Sequence, residues 1–81
     1  MIDYSWLYED YVNINSLSHM ERFHICLFLV YCQTRNIPIH SFKEGYMEYK
    51  QVAEPEDLCG VEDFLLFFQN DTFHYGLCIH S

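Results

Sequence analysis

Residues 64–79 read Phe64-Leu-Leu-Phe-Phe-Gln-Asn-Asp-Thr-Phe-His-Tyr-Gly-Leu-Cys-Ile79, and the fold class turns on whether this run is extended or coiled. Phe64–Gln69 and Thr72–Ile79 flank Asn70-Asp71, a pair suited to a hairpin turn. Phe64, Leu65, Leu66, Phe67 and Phe68 are apolar without alternation, which predicts a central strand covered on both faces. In the partner segment Phe73, Tyr75, Leu77 and Ile79 share one face, and Thr72, His74, Gly76, Cys78 and His80 share the other.

Upstream, Glu54-Pro55-Glu56-Asp57 predicts a turn or a single helical turn. Residues 46–53 (YMEYKQVA) read as a half-exposed strand with aromatic cross-strand partners. Earlier still, Ser18-His19-Met20-Glu21 has the form of a capping box, in which the Ser hydroxyl meets the N3 amide and the Glu reaches back. It predicts a helix over 19–35 that stops before Pro38, whose ring disfavours helical geometry at the preceding residue. Met20, Phe23, Leu27, Val30 and Tyr31 form one apolar face, widened by Ile25, Phe28, Leu29 and Cys32. So broad a stripe predicts burial on more than one side. Residues 3–12 suit a short helix capped by Asp3, or a strand. The expected architecture is α+β: one long buried helix on a three- or four-stranded, mainly antiparallel sheet ending in a C-terminal hairpin, with 1–81 as a single small acidic domain.

The formal net charge is −8 over 81 residues, and the negative charge is uneven. Residues 1–15 carry Asp3, Glu9 and Asp10 without a base. Residues 44–63 carry Glu44, Glu48, Glu54, Glu56, Asp57, Glu62 and Asp63 against Lys50 alone. Residues 16–43 hold Arg22, Arg35 and Lys43 against Glu21. Four basic residues that do not cluster argue against direct binding to nucleic acid, whose binders neutralise several phosphates with Lys and Arg. They argue equally against an anionic membrane surface. The N-terminus lacks a secretory pattern, and the longest apolar run, Ile25 to Cys32, is far below the roughly 20 residues of a membrane span. The chain reads as cytoplasmic, with its cysteines as free thiols.

The motifs of catalysis and metal binding are incomplete. His19-Met20-Glu21 matches half of the zinc-deaminase signature, but the P-C-x-x-C half is missing. His19 and His24, five apart, fall about 140° round a helix and cannot share a metal in the manner of a zincin. His74, Cys78 and His80 lie on one face of the final predicted strand, and Cys59 would complete a small zinc site, although no C-x₂-C pair exists. Cys78-Ile79-His80-Ser81 has the C-a-a-X form without the polybasic stretch that supplies a second membrane signal. Asn70-Asp71-Thr72 fits a glycosylation sequon but reads as turn chemistry. No Gly-x-Ser-x-Gly elbow or phosphate loop is present. The expectation is a protein that is not an enzyme and takes no cofactor or metal.

Gln51-Val-Ala-Glu-Pro-Glu-Asp-Leu58 followed by Phe64-Leu-Leu-Phe-Phe-Gln-Asn-Asp-Thr-Phe-His-Tyr-Gly-Leu77 resembles a segment of some SUKH-superfamily proteins. There a P-x-D-L turn leads into a hydrophobic strand, a polar turn and an aromatic-Gly-aliphatic strand. Many members are immunity proteins that block secreted bacterial toxins, often nucleases. The resemblance spans about residues 51–80 and assigns no functional residue. The chain lacks that family's usual N-terminal Trp/Gly-rich segment.

The acidic segments point to an inhibitor or antagonist of immunity, anti-defence or nucleic-acid-mimic type, phage or bacterial, that covers a basic surface of a partner protein such as a nuclease. Glu44, Glu48, Glu54, Glu56, Asp57, Glu62 and Asp63 would steer association and occupy sites meant for phosphates. Tyr46, Tyr49 and Trp6 would anchor the contact. The rival class is a homo-oligomeric structural or adaptor module, since an 81-residue monomer can hardly bury both an all-round apolar helix and a doubly apolar strand. That class predicts a homodimer. A small zinc-binding domain is the third alternative.

Overall fold

Tyr4, Leu7 and Tyr11 recur at helical spacing and are buried, and they set the first element, α1, at Ser5–Ile14. The structure is a computed structural model that describes residues 3–69, with four helices and no strand among them. α2 spans His19–Thr34, α3 spans Phe42–Val52, and α4 comprises residues 61–69. Short 3-10 turns at Ile39–Ser41 and Pro55–Leu58 lead into α3 and α4. The expected α+β fold is therefore overturned. Residues 46–53 fall almost wholly within α3, and the predicted central strand over 64–69 lies within α4. The Asn70-Asp71 turn and the strand over 72–79 lie outside the described residues.

The physical reason is a helical period that begins upstream of each apolar run. Phe42, Gly45, Tyr46 and Tyr49 are the buried residues of α3, and Val61, Phe64, Leu65 and Phe68 those of α4. Both sets follow i, i+3, i+4, i+7, the signature of one helical face. Leu66 in the middle of the apolar run is exposed, as a helix requires and a doubly covered strand does not.

α2 begins at the predicted capping box: the Glu21 amide donates to Ser18 Oγ at 3.2 Å, and the Ser18 amide donates to Glu21 Oε1 at 3.1 Å. It ends before Pro38 for a more local reason than the ring. Asn36 adopts φ +55, its amide donates to the Gln33 carbonyl, and the Ile37 amide donates to the Cys32 carbonyl. That pairing is a Schellman motif, which satisfies carbonyls left over at a helix end. The apolar stripe of α2 divides differently from expectation. Ile25, Phe28, Leu29 and Cys32 face the core with His24, whereas Met20, Phe23, Leu27 and Val30 face outward. α1 carries no side-chain cap, and Asp3 instead accepts from the Ser5 amide at 2.9 Å.

The core is aromatic. Phe28 of α2 meets Phe42, Tyr46 and Tyr49 of α3 at centroid distances of 5.9, 6.2 and 5.6 Å. Phe42 lies tilted by 37° against Phe68 at 4.8 Å and meets Tyr4 edge-on at 4.7 Å, and Tyr11 meets Phe64 edge-on at 5.2 Å. Edge-to-face pairs of this kind contribute about 0.5–1.5 kcal/mol each beyond the area they bury. The Tyr4 hydroxyl donates to the Ile37 carbonyl, which ties α1 to the chain reversal after α2. None of the helices described is long and apolar enough to cross a membrane.

Candidate functional site

The bend between α3 and α4 carries the densest acidic run. Glu54 precedes the Pro55–Leu58 turn, and two bonds close that turn: the Glu54 amide donates to Asp57 Oδ2 at 3.3 Å, and the Asp57 amide donates to the Glu54 carbonyl at 2.9 Å. Proline at the first position favours such a start, because its missing N–H would have no partner there. Gly60 then turns the chain at φ +78, and its carbonyl accepts from the Phe64 amide at 3.0 Å to open α4. An added Cβ on Gly60 would lie 3.0 Å from Glu21 Cβ, so the start of α4 rests on the first turn of α2.

That contact gathers carboxylates from separate stretches of the sequence. Burial raises the Tyr11 hydroxyl pKa, and the charges of Asp63 and Glu21 raise it further. Residues from α1, α2 and α4 thus share one end of the molecule. Glu54, Glu56, Glu62 and Asp63 are exposed there and Asp57 is half-buried. These five carboxylates, with Glu21 as a sixth, form an acidic rim around the N-terminal ends of α2 and α4. Helix N-termini carry partial positive charge, which helps to hold anions there.

The rim members differ in what else they do. Glu54 and Asp57 close the turn. Glu62 accepts from the Tyr46 hydroxyl at 2.7 Å, and this bond and charge add to burial in pushing the Tyr46 pKa up to about 12. The side chains of Glu56 and Asp63 have no hydrogen-bonding or ion-pairing partner among the described residues, and both are exposed. Glu44 and Glu48 lie elsewhere, lining a cavity of about 230 Å³ with Arg35, Pro38 and Ser41. There Glu48 accepts from the Tyr31 hydroxyl at 3.2 Å and lies 4.0 Å from Arg35.

Of the three aromatic residues expected to anchor a partner, Tyr46 and Tyr49 are buried against Phe28. Trp6 is 39% exposed on α1, five residues from Tyr11 and hence about 7.5 Å along the helix axis. Sequence reasoning missed the groove between α3 and α4, a cavity of about 270 Å³ lined by Lys43, Tyr46, Met47, Glu62, Leu65 and Leu66. Its signal is the helical period in Phe42–Tyr49 and Val61–Phe68, which leaves Met47 and Leu66 on the outside.

His24 is the buried polar side chain of the core, 3% exposed. Its Nδ1 lies 3.7 Å from Asp57 Oδ1, and neither ring nitrogen has a hydrogen-bond partner among the described residues. Cys26, Cys32 and Cys59 are free thiols, and burial, with the charge of Glu48, pushes the Cys32 pKa up to about 12. That shift disfavours the thiolate a nucleophile needs. Among the described residues no three His, Cys, Asp or Glu side chains are grouped to hold a metal ion. His74, Cys78 and His80, the other part of the zinc set predicted with Cys59, lie outside the described residues. Comparison of the chain with protein-family models, with curated proteins and with solved structures finds no match.

Proposed function

We propose that this chain is a non-enzymatic acidic antagonist that binds a basic surface of a partner protein, of the kind a nuclease or another nucleic-acid-binding protein presents. The observation that carries the reading is the acidic rim: Glu21, Glu54, Glu56, Asp57, Glu62 and Asp63 are set on helix ends and a capped turn at one end of the fold. The bond from the Glu54 amide holds the Asp57 carboxylate in place, so that charge is positioned before any partner arrives. Fixed charges of one sign steer a partner of the opposite sign and speed its approach.

Glu56 and Asp63 are the residues to alter, because neither holds the fold together. The paired variant Glu56→Gln/Asp63→Asn should keep its helical circular dichroism and lose on-rate toward a basic partner captured from the native cell. The wild-type complex should form more slowly as NaCl rises through about 0.15 M, where the screening length is about 8 Å. Adding the chain should also inhibit the partner's binding or cleavage of nucleic acid. Equal association by the variant and the wild type, with no dependence on salt, would sink the reading.

A further inference from the structure

Met20, Phe23, Leu27 and Val30 of α2 are 57, 55, 38 and 55% exposed. They follow a 3-4-3 spacing, the a/d repeat by which one helix seats another. An isolated exposed apolar residue needs no explanation, but a continuous stripe marks an interaction site. We propose that this stripe is the seam of a symmetric dimer, in which a second copy of this chain lays its own α2 antiparallel across it.

The occupant follows from spacing, charge and area. A twofold axis on the outward face of α2, level with position 25 along the helix, sets Met20 of each copy against Val30 of the other, and Phe23 against Leu27, so every apolar residue of the stripe meets another. Such an isologous contact closes on itself and leaves no sticky surface. Beside Val30 lies a cleft of about 120 Å³ between α1 and α2, lined by Tyr8, Cys26, Leu29 and Gln33 among others. The second copy's Met20 arrives at its mouth, and a flexible thioether fills irregular gaps well.

Charge selects the orientation. α2 holds Glu21 and Arg22 as its charged residues, so two chains of net charge −8 can meet here without opposing their acidic surfaces. Arg35, 58% exposed, caps the C-terminal end of α2, and Glu21 of the acidic rim stands at the other end. An antiparallel pair brings each Arg35 toward the other copy's rim, whereas a parallel pair sets rim beside rim. The four side chains expose about 300–400 Å² per copy, near the size of the largest patch on an ordinary monomer. Doubled, and with a polar rim added, that approaches the roughly 1,200 Å² of a specific interface.

Sedimentation equilibrium of the full chain from 1 to 100 µM tests this. A dimer should form and should strengthen as NaCl rises, because salt screens the repulsion between two acidic molecules. That trend is opposite to the one expected for a basic partner at the acidic rim, so the two readings fail separately. Phe23→Lys and Leu27→Glu should each give a monomer with unchanged helical circular dichroism. Mixed together, they should dimerise again, since the antiparallel seam sets Lys against Glu and leaves Leu against Phe at its other crossing. A wild-type monomer at 100 µM, a dimer indifferent to both substitutions, or a mixture that stays monomeric would each overturn the proposal.

Discussion

Gly60 and His24 sit on either side of the same junction and respond to substitution in opposite ways. Gly60 holds φ +78, where an L side chain is strained, and its missing Cβ leaves room for Glu21 Cβ at 3.0 Å. Glu21 Cβ belongs to the first turn of α2 and has little freedom to withdraw. Gly60→Ala should therefore lower stability by about 1–2 kcal/mol, the cost of a left-handed residue, read as an earlier urea midpoint. His24 is the reverse case. Two ring nitrogens are buried without partners, and an unsatisfied buried polar group costs about 1–3 kcal/mol. His24→Leu should leave stability unchanged or raise it by up to about 2 kcal/mol. A loss above about 1 kcal/mol would instead show that the 3.7 Å approach to Asp57 stabilises the native state.

The capping box of α2 is the element whose start was readable without coordinates, and it carries a plain expectation. Ser18→Ala removes the acceptor of the Glu21 amide and should destabilise the protein by about 1 kcal/mol. Thermal unfolding followed by circular dichroism measures it, and no change in midpoint would show that the box is idle. α2 was legible because its cap and its stop are local: Ser18 and Glu21 bond each other, and Asn36 supplies the left-handed residue. α3 and α4 were not. Read from Tyr46 or from Phe64, each run is a short apolar segment, and periodicity alone cannot separate a buried strand from a buried helix. Phe42 and Val61, a few residues upstream, complete the helical pattern. The outward face of α2 was illegible for a related reason. Two apolar stripes cover that helix, and only the positions of α1 and α3 decide which is buried. The acidic segments could be read as composition, but their meeting at Tyr11 depends on how α4 returns to α2. Tyr46 and Tyr49 are amphipathic rings that suit a surface or a core, and Phe28 claims them for the core.

The aromatic core joins all four helices, and its tyrosines couple the whole fold to alkaline pH. Burial raises the hydroxyl pKa of Tyr4, Tyr8, Tyr11, Tyr46 and Tyr49. For Tyr46 the value moves from the ordinary 10.0 up to about 12, with the Glu62 bond and charge adding to burial, and Tyr8 moves as far. A raised folded-state pKa means that the native protein keeps the proton more tightly than the unfolded chain does. The resulting stability is fully present below the unfolded pKa, near pH 10, and is lost as pH rises through the folded value near 12. Helicity should therefore hold from neutral pH to about 9.5 and collapse between about 10 and 12, the window set by the two pKa values. Tyrosinate absorbance should rise in the same interval, because these rings ionise when the core opens. Tyr46→Phe removes one such group and should move the collapse to higher pH. It also takes the Tyr46 hydroxyl from Glu62, so a modest loss of stability at neutral pH is expected with the alkaline gain. Tyrosinate appearing in full near pH 10 with the helices intact would mean that these hydroxyls reach solvent without unfolding, and that the core is looser than its edge-to-face contacts require.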